Sequence, residues 1–329
     1  MAEEKRGGWR LGVNRWVVLL LIVISVFAAR AFPPVQPHIQ LPAENVSGPL
    51  FNLFGQPFYL TNTLIATLIA DAILLLIGFS IWRATRKGGS NMLKGISGAV
   101  EAILELLYNM TESTAGKWAK TIFPFFATIF LLVLVANWTE LIPGVDSIGV
   151  FDAHHIEEGA ECSFLQTEAV GTEIVSLASG DRECASGIIP FVRVASTDLN
   201  FTVAIALFAV VGIQVVGLRA QGAGYFKKFW NTSTLFKVPM FGVIDFGVGI
   251  IEMVSEFVKV LSFSFRLFGN VFAGSVMLFV IGSLVPVFAQ SAFLLLEFFV
   301  GMIQAIVFGM LTMIFMAQAT ISHAHEGEH

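Results

Sequence analysis

Charge is what this chain has least of. Asp, Glu, Lys and Arg make up 13% of its 329 residues, where soluble domains carry about 25%. With 56% hydrophobic residues and a mean hydropathy of +0.78, that scarcity excludes a soluble enzyme and implies a polytopic membrane protein with no folded domain outside the bilayer. The net charge of −5 says little, because its sign is divided between the two sides of the membrane. Two cysteines permit at most one intramolecular disulfide. The internal repeats that mark many transporters are absent, as is any paired nucleophile and base, which argues against an intramembrane hydrolase. One metal-like string exists: His325 to His329 fits H-E-x-x-H. It contains Gly327, ends with the chain and lacks a third ligand, so it reads as a solvated tail.

What is present is a series of apolar runs separated by polar punctuation. Trp16 to Phe32 follows the basic residues Lys5, Arg6, Arg10 and Arg15. It reads as a retained anchor, with a cleaved signal as the alternative. Phe32 to Pro57 is proline-rich and reads as an extended connector. Phe58 to Trp82 is long enough to span and carries Asp71, expected to make a polar contact to a neighbouring helix or subunit. Over Asn91 to Lys120, Ile96, Val100, Ile103, Leu104, Leu107 and Met110 share a helical face, which predicts an amphipathic helix lying along the membrane surface. Thr121 to Ile142 is the next span; Glu140, near its end, is expected to be solvated. The acidic insertion 145–189 contains both cysteines, Cys162 and Cys184, which can join as a disulfide if the loop lies outside the cytoplasm. Ser196 to Leu218 spans again, and Phe241 to Leu284 then runs on with no breaker before Pro286.

Basic residues cluster in 1–15, 83–120 and 219–237, which fall on one side if every run crosses once. This predicts six spans with both termini cytoplasmic, or five if the first segment is removed. At about 1.5 Å per residue, Phe241 to Leu284 is roughly 66 Å long and Val287 to Ala319 roughly 50 Å, against a hydrocarbon core of about 30 Å. Neither can stand upright, so the two are predicted to form a strongly tilted hairpin offering a broad face to a partner. Gly247, Gly249, Gly269, Ala273 and Gly274 suit close packing on that face.

Within the first arm of this hairpin, Glu252, Glu256, Lys259, Arg266 and Asn270 recur at steps of four, three, seven and four. That spacing draws one stripe down a helix. A charge near the bilayer centre costs at least ~2.5–3.5 kcal/mol, so such residues mark ion or substrate paths. Arg266 cannot deprotonate and is therefore a fixed cation, an anion partner or a barrier. Glu252 and Glu256 lie roughly 21 and 15 Å from it along a helix, out of pairing range. In the second arm, Gln290, Glu297 and Gln304 are spaced by seven and share a face.

At these residues the chain resembles subunit a of rotary F-type ATP synthases. SFRLFGNVFAG (264–274 within the longer run), NWTELIPG, STDLNFT and QAIVFGMLT are similar to that family's signature segments. The resemblance implies an all-α membrane domain over 58–329, preceded by an N-terminal segment 1–57, in a cell membrane with the C-terminus cytoplasmic. It implies two offset proton half-channels with Arg266 between them, facing a ring of c subunits, and peripheral-stalk b subunits as further partners. On the entry side it points to Asp198, Asn200, Ser275 and Glu297; on the exit side to Glu252 and Glu256; and near the arginine to Asn270 and Gln304. The family's acid and histidine on the outer half-channel correspond here to Ser275 and Glu297, so the acid has moved to the second helix and the histidine is gone. No cofactor is implied, and the subunit alone is not a catalyst. The choice between proton and sodium lies with the ring. A stand-alone ion channel or cation transporter is the alternative reading.

Overall fold

A computed structural model describes residues 11–31, 42–46, 51–53, 55–86, 96–142, 149–151, 188–222, 224–225, 239–284 and 288–321. Helix α1 (Leu11–Ala31) carries exposed apolar side chains from Trp16 onward. The connector contains a short hairpin. Strands β1 (Phe51–Leu53) and β2 (Gln56–Phe58) pair antiparallel. Gly55 supplies the positive φ of +83° that their turn needs, and the rings of Phe51 and Phe58 stack 4.8 Å apart. Helix α2 (Asn62–Arg86) starts where the Thr61 hydroxyl accepts the Leu64 amide at 3.3 Å, an N-cap. It presents Leu68, Leu75, Leu76 and Phe79 outward, and Asp71 stands on that exposed side.

Helix α3 (Ile96–Ala115) ends at Gly116, whose φ of +51° lets the chain reverse through a 3-10 turn into α4 (Ala119–Trp138). The two helices then lie side by side, with Tyr108 edge-on to Phe123 at 5.3 Å. The packed face of α3 centres on Leu107 and Thr111; Ile103, placed on the apolar face by its spacing, is exposed. Strands β3 (Gly149–Phe151) and β4 (Ile188–Pro190) pair antiparallel at the base of the acidic insertion, Phe151 opposite Ile188. Cys162 and Cys184 lie outside the described residues.

Helix α5 (Leu199–Gln221) is capped by Asp198, which accepts the Asn200 amide at 2.9 Å, and closes on Gly222 with φ +62°. Helices α6 (Pro239–Leu284) and α7 (Phe288–Ala319) form the expected long hairpin. Its arms are 46 and 32 residues, roughly 69 and 48 Å at about 1.5 Å per residue.

In the main core cluster α7 lies along α4 and α6 along α5, the pairs meeting through α6–α7 and α5–α7, and Ala66, Ala136 and Ala195 form a smaller one. Phe126, Ile122, Val133, Ile213, Leu267, Val271, Met313 and Met316 are wholly buried in the main cluster. Lipid is as apolar as these side chains, so close fit rather than water exclusion holds the helices together. Glycines set the closeness. A Cβ on Gly309 would lie 2.8 Å from the Phe126 ring, and one on Gly301 3.1 Å from Asn137 Cβ, so α7 rests directly on α4. Five helical stretches among the described residues are long and apolar enough to cross a membrane: 62–83, 98–141, 199–221, 246–282 and 289–319. The protein is an all-α polytopic membrane protein.

Candidate functional site: one helix with a cation outside and acids behind it

The phase of α6 gives it two unlike faces. Outward it shows Phe257, Leu261 and Phe265 together with Arg266, Gly269 and Asn270, all exposed. Among the described residues the guanidinium is approached by Ser262 Oγ, at 3.4 Å, from its own helix. A permanently charged group thus stands in an apolar surface, held by its own turn and by no carboxylate of its stripe. Apart from Ser262, Gly269 and Asn270, its exposed neighbours are phenylalanine and aliphatic side chains.

The inward face carries Ser275, whose hydroxyl donates to Glu140 Oε1 at 2.5 Å. Glu140 is only 6% exposed, which corrects its expected place in solvent. The reason is local: α4 tightens into a 3-10 turn over Thr139–Leu141, and this swings Glu140 inward against α6. Glu297 is 7% exposed, and its carboxylate lies on the bare backbone of Gly274, one residue from Ser275. Gly274 therefore packs inside the hairpin and not on the partner-facing surface proposed for it from sequence. Two carboxylates, one from the 3-10 turn after α4 bonding Ser275 and one from α7 resting on Gly274, meet adjacent residues of α6 inside a membrane-spanning bundle. Burial of this kind is expensive and is seldom tolerated without a function.

A polar seam continues from this point between α4, α7 and the start of α5. Ser196 donates to Asn137 Oδ1 at 2.6 Å, and Asn137 donates to the Gly301 carbonyl at 3.3 Å. Trp138 donates to the Phe298 carbonyl and stacks on its ring at 4.8 Å, fixing α4 against α7 at this level. Asp198, two residues after Ser196, accepts the Thr63 hydroxyl at 2.9 Å. Asn200 is exposed and contributes its backbone amide to Asp198. Deeper, Thr202 and Ser264 share a hydrogen bond of 3.2 Å between α5 and α6. Sequence reasoning did not single out Thr63, Asn137, Ser196 or Thr202. Glu140 and Asn137 lie in NWTELIPG, where two buried polar residues ahead of a helix end were the available signal.

The hairpin is in a definite register. Gln290 lies on Gly282, Glu297 on Gly274, and Phe308 against Phe263 at 5.2 Å. Arg266 and Gln304 fall between the last two contacts, so they share one level, with Glu297 towards the hairpin turn. Gln304 is half-buried.

The sequence comparisons cover the helices that carry this geometry. The family model described as ATP synthase A chain matches residues 64–317. The chain belongs to the ATP synthase A chain family. ATP synthase subunit a of Gloeobacter violaceus is 30% identical over 211 residues, 63% of this chain and 62% of that protein. The chloroplastic subunit a of Stigeoclonium helveticum is 26% identical over 180 residues, 53% of this chain and 51% of that one. Subunit a of Halorhodospira halophila is 28% identical over 207 residues, 61% and 64% of the two chains. The matches span between half and just under two thirds of these relatives' length.

This ATP synthase A chain family member has a second polar group, nearer the start of α6. Glu252 is half-buried there. Glu256 is buried and pairs with Lys259 Nζ at 2.9 Å, and that ammonium stands 4.7 Å from the Phe315 ring. Across from them Tyr225 lies flat on Gly217, where a Cβ would come within 2.7 Å of its Cζ, and donates to Gln214 Oε1 at 2.8 Å. Burial first, and the neighbouring Glu256 charge second, push the Tyr225 phenol up to about 12. Tyr225 was not anticipated. The aromatic residue after a glycine-rich stretch, QGAGY, was its only mark in the sequence.

Proposed function

We propose that this protein is the membrane-sector stator subunit of an F-type ATP synthase, passing protons between two offset half-channels and coupling that passage to rotation of a c ring. The observation that carries the reading is the division of α6: a permanent cation on its exposed apolar face and the Glu140–Ser275–Glu297 group on its buried face.

In this reading protons enter past Asp198 and Asn200 and reach Ser275 and Glu297, with Glu140 as a further acid on the same path. From there a proton neutralises a ring carboxylate. A neutral carboxyl can turn through lipid without the cost of burying an ion. After nearly a full turn it meets the exit path beside Glu252 and Glu256 and releases its proton. Arg266 holds the arriving carboxylate ionised and repels protons that would cross straight from entry to exit; Asn270 and Gln304 flank it. Each proton delivers ~2.3 kcal/mol per 100 mV, so any leak would dissipate the gradient. The ring and the peripheral-stalk b subunits are the partners, and the C-terminus is cytoplasmic.

The test is Arg266→Ala in the assembled complex. Proton-driven ATP synthesis in liposomes is expected to vanish. Arg266→Lys is expected to fail as well, because a desolvated lysine can give up its proton. Normal synthesis in the alanine variant would overturn the reading.

A further inference from the structure

The extended segment 42–46 does more than connect. Its backbone runs beside the chain entering α2: Val46 donates to the Leu60 carbonyl at 2.9 Å, Asn45 bridges to Thr61, and the Asn62 amide donates to the Glu44 carbonyl at 3.1 Å. Arg193, just before the start of α5, donates to the Pro42 carbonyl at 3.4 Å and ties the segment to the other wall. The joint is Asn62, whose side chain is fully buried. Its Oδ1 accepts the amides of Glu44 at 3.3 Å and Thr63 at 2.9 Å, and its Nδ2 donates to Glu44 Oε2 at 3.2 Å. A buried amide is tolerated only when its hydrogen bonds are made. Here three of them are made, two to Glu44 and one to the Thr63 amide. The next residue, Thr63, carries the hydroxyl that bonds Asp198, itself 8% exposed.

We propose that Glu44 is the outermost proton-collecting carboxylate of this protein, strapped over the mouth of the polar seam by residues 42–46 and aimed by Asn62. The proposal rests on reading the Asp198 end as the proton entry. Glu44 is half-buried, so one side of it meets water while Asn62 holds the other. It takes a proton from an outer hydronium ion, which departs as water. It then yields that proton to a water molecule inside the mouth and returns to the carboxylate; no heavy-atom bond changes. Asn62 keeps its own protons and sets the carboxylate's direction. Among the described residues, the charged groups tied to this place include Asp198, reached through Thr63, and Arg193 on the opposite wall. A carboxylate at a channel mouth raises the local supply of cations, and this matters most when bulk protons are scarce.

The experiment uses the whole complex in liposomes, with ATP synthesis at fixed driving force measured across a range of pH on the entry side. Glu44→Gln keeps an oxygen to accept from Asn62 but cannot titrate; Glu44→Ala removes both. Each variant is normalised to its own rate at acidic entry pH, which cancels differences in assembly. Both are expected to fall several-fold below wild type as the entry side becomes alkaline and to converge with it as that side becomes acidic. A Glu44→Gln profile superimposable on wild type would overturn the proposal and leave the segment a structural strap. Arg266→Ala, run in parallel, separates the two levels. Loss of synthesis there with a flat Glu44→Gln profile sinks only the role of Glu44, whereas retained synthesis sinks the reading beneath it.

Discussion

Gly274→Ala is the smallest change that reaches the buried acids. A methyl group there would lie 2.6 Å from Glu297 Cδ and closer still to Oε2, whereas ordinary contact begins at 3.4 Å, so the carboxylate must retreat by roughly 1 Å. The obstructed atoms are the tip of a flexible side chain, not backbone. The helices can therefore keep their spacing while the acid moves. Overpacking of this kind costs typically ~1–3 kcal/mol, and a displacement of about 1 Å at a reacting group can cost ~100-fold. The expected fall in proton-driven ATP synthesis is therefore up to about a hundredfold, with the complex still assembled. Glu297→Asp provides the check. Shortening the side chain by one methylene withdraws the carboxylate by about 1.5 Å and opens the space that the new methyl needs. The Gly274→Ala/Glu297→Asp double variant is expected to run faster than Gly274→Ala alone, a coupling that independent sites do not show. The assay is ATP formation by reconstituted liposomes after an acid–base jump. A wild-type rate in Gly274→Ala, or a double variant whose loss is the product of the single losses, would refute the placement of Glu297 on Gly274.

Three further outcomes follow from packing and charge. Gly309→Ala puts a methyl 2.8 Å from the wholly buried Phe126 ring and 3.3 Å from Phe130 Cβ, neither of which has room to retreat. It is expected to destabilise by about 1–3 kcal/mol, read as a lower melting temperature of the purified complex, while Gly78→Ala, which meets nothing within 4 Å inside α2, does not lower it. In the ultraviolet difference titration between wild type and Tyr225→Phe, the phenol is expected to ionise near 12 and not at 10. Because the folded value is raised, its contribution to stability is intact below pH 10 and is lost between 10 and 12. Glu256→Gln, by removing the second of the two causes, is expected to bring that midpoint down.

Features that depend on helical phase and run length were legible in the sequence. Arg266 and Ser275 point to opposite faces because they lie on one unbroken helix, and α6 and α7 are long because no breaker interrupts them between Pro239 and Leu284 or between Phe288 and Ala319. Features that depend on a neighbour's position were not. Glu140 looks like an end-of-helix acid until the 3-10 turn at Thr139–Leu141 carries it against Ser275. Gly274 belongs to a run of small residues, and only the register of α7 shows that it fits Glu297 instead of a partner. Residues 42–46 of the proline-rich connector read only as extended because their order comes from backbone bonds to Leu60 and Asn62, which no local pattern announces.

The ribbon of β3 and β4 has a practical consequence. Antiparallel pairing of Gly149–Phe151 with Ile188–Pro190 sets the departing and returning chain side by side. The distance from α4 to α5 is thereby uncoupled from whatever lies between Phe151 and Ile188. That makes this stretch a natural splice point, where length and content can drift between relatives, or an epitope can be grafted to report which side of the membrane it faces, while the bundle beneath keeps its dimensions.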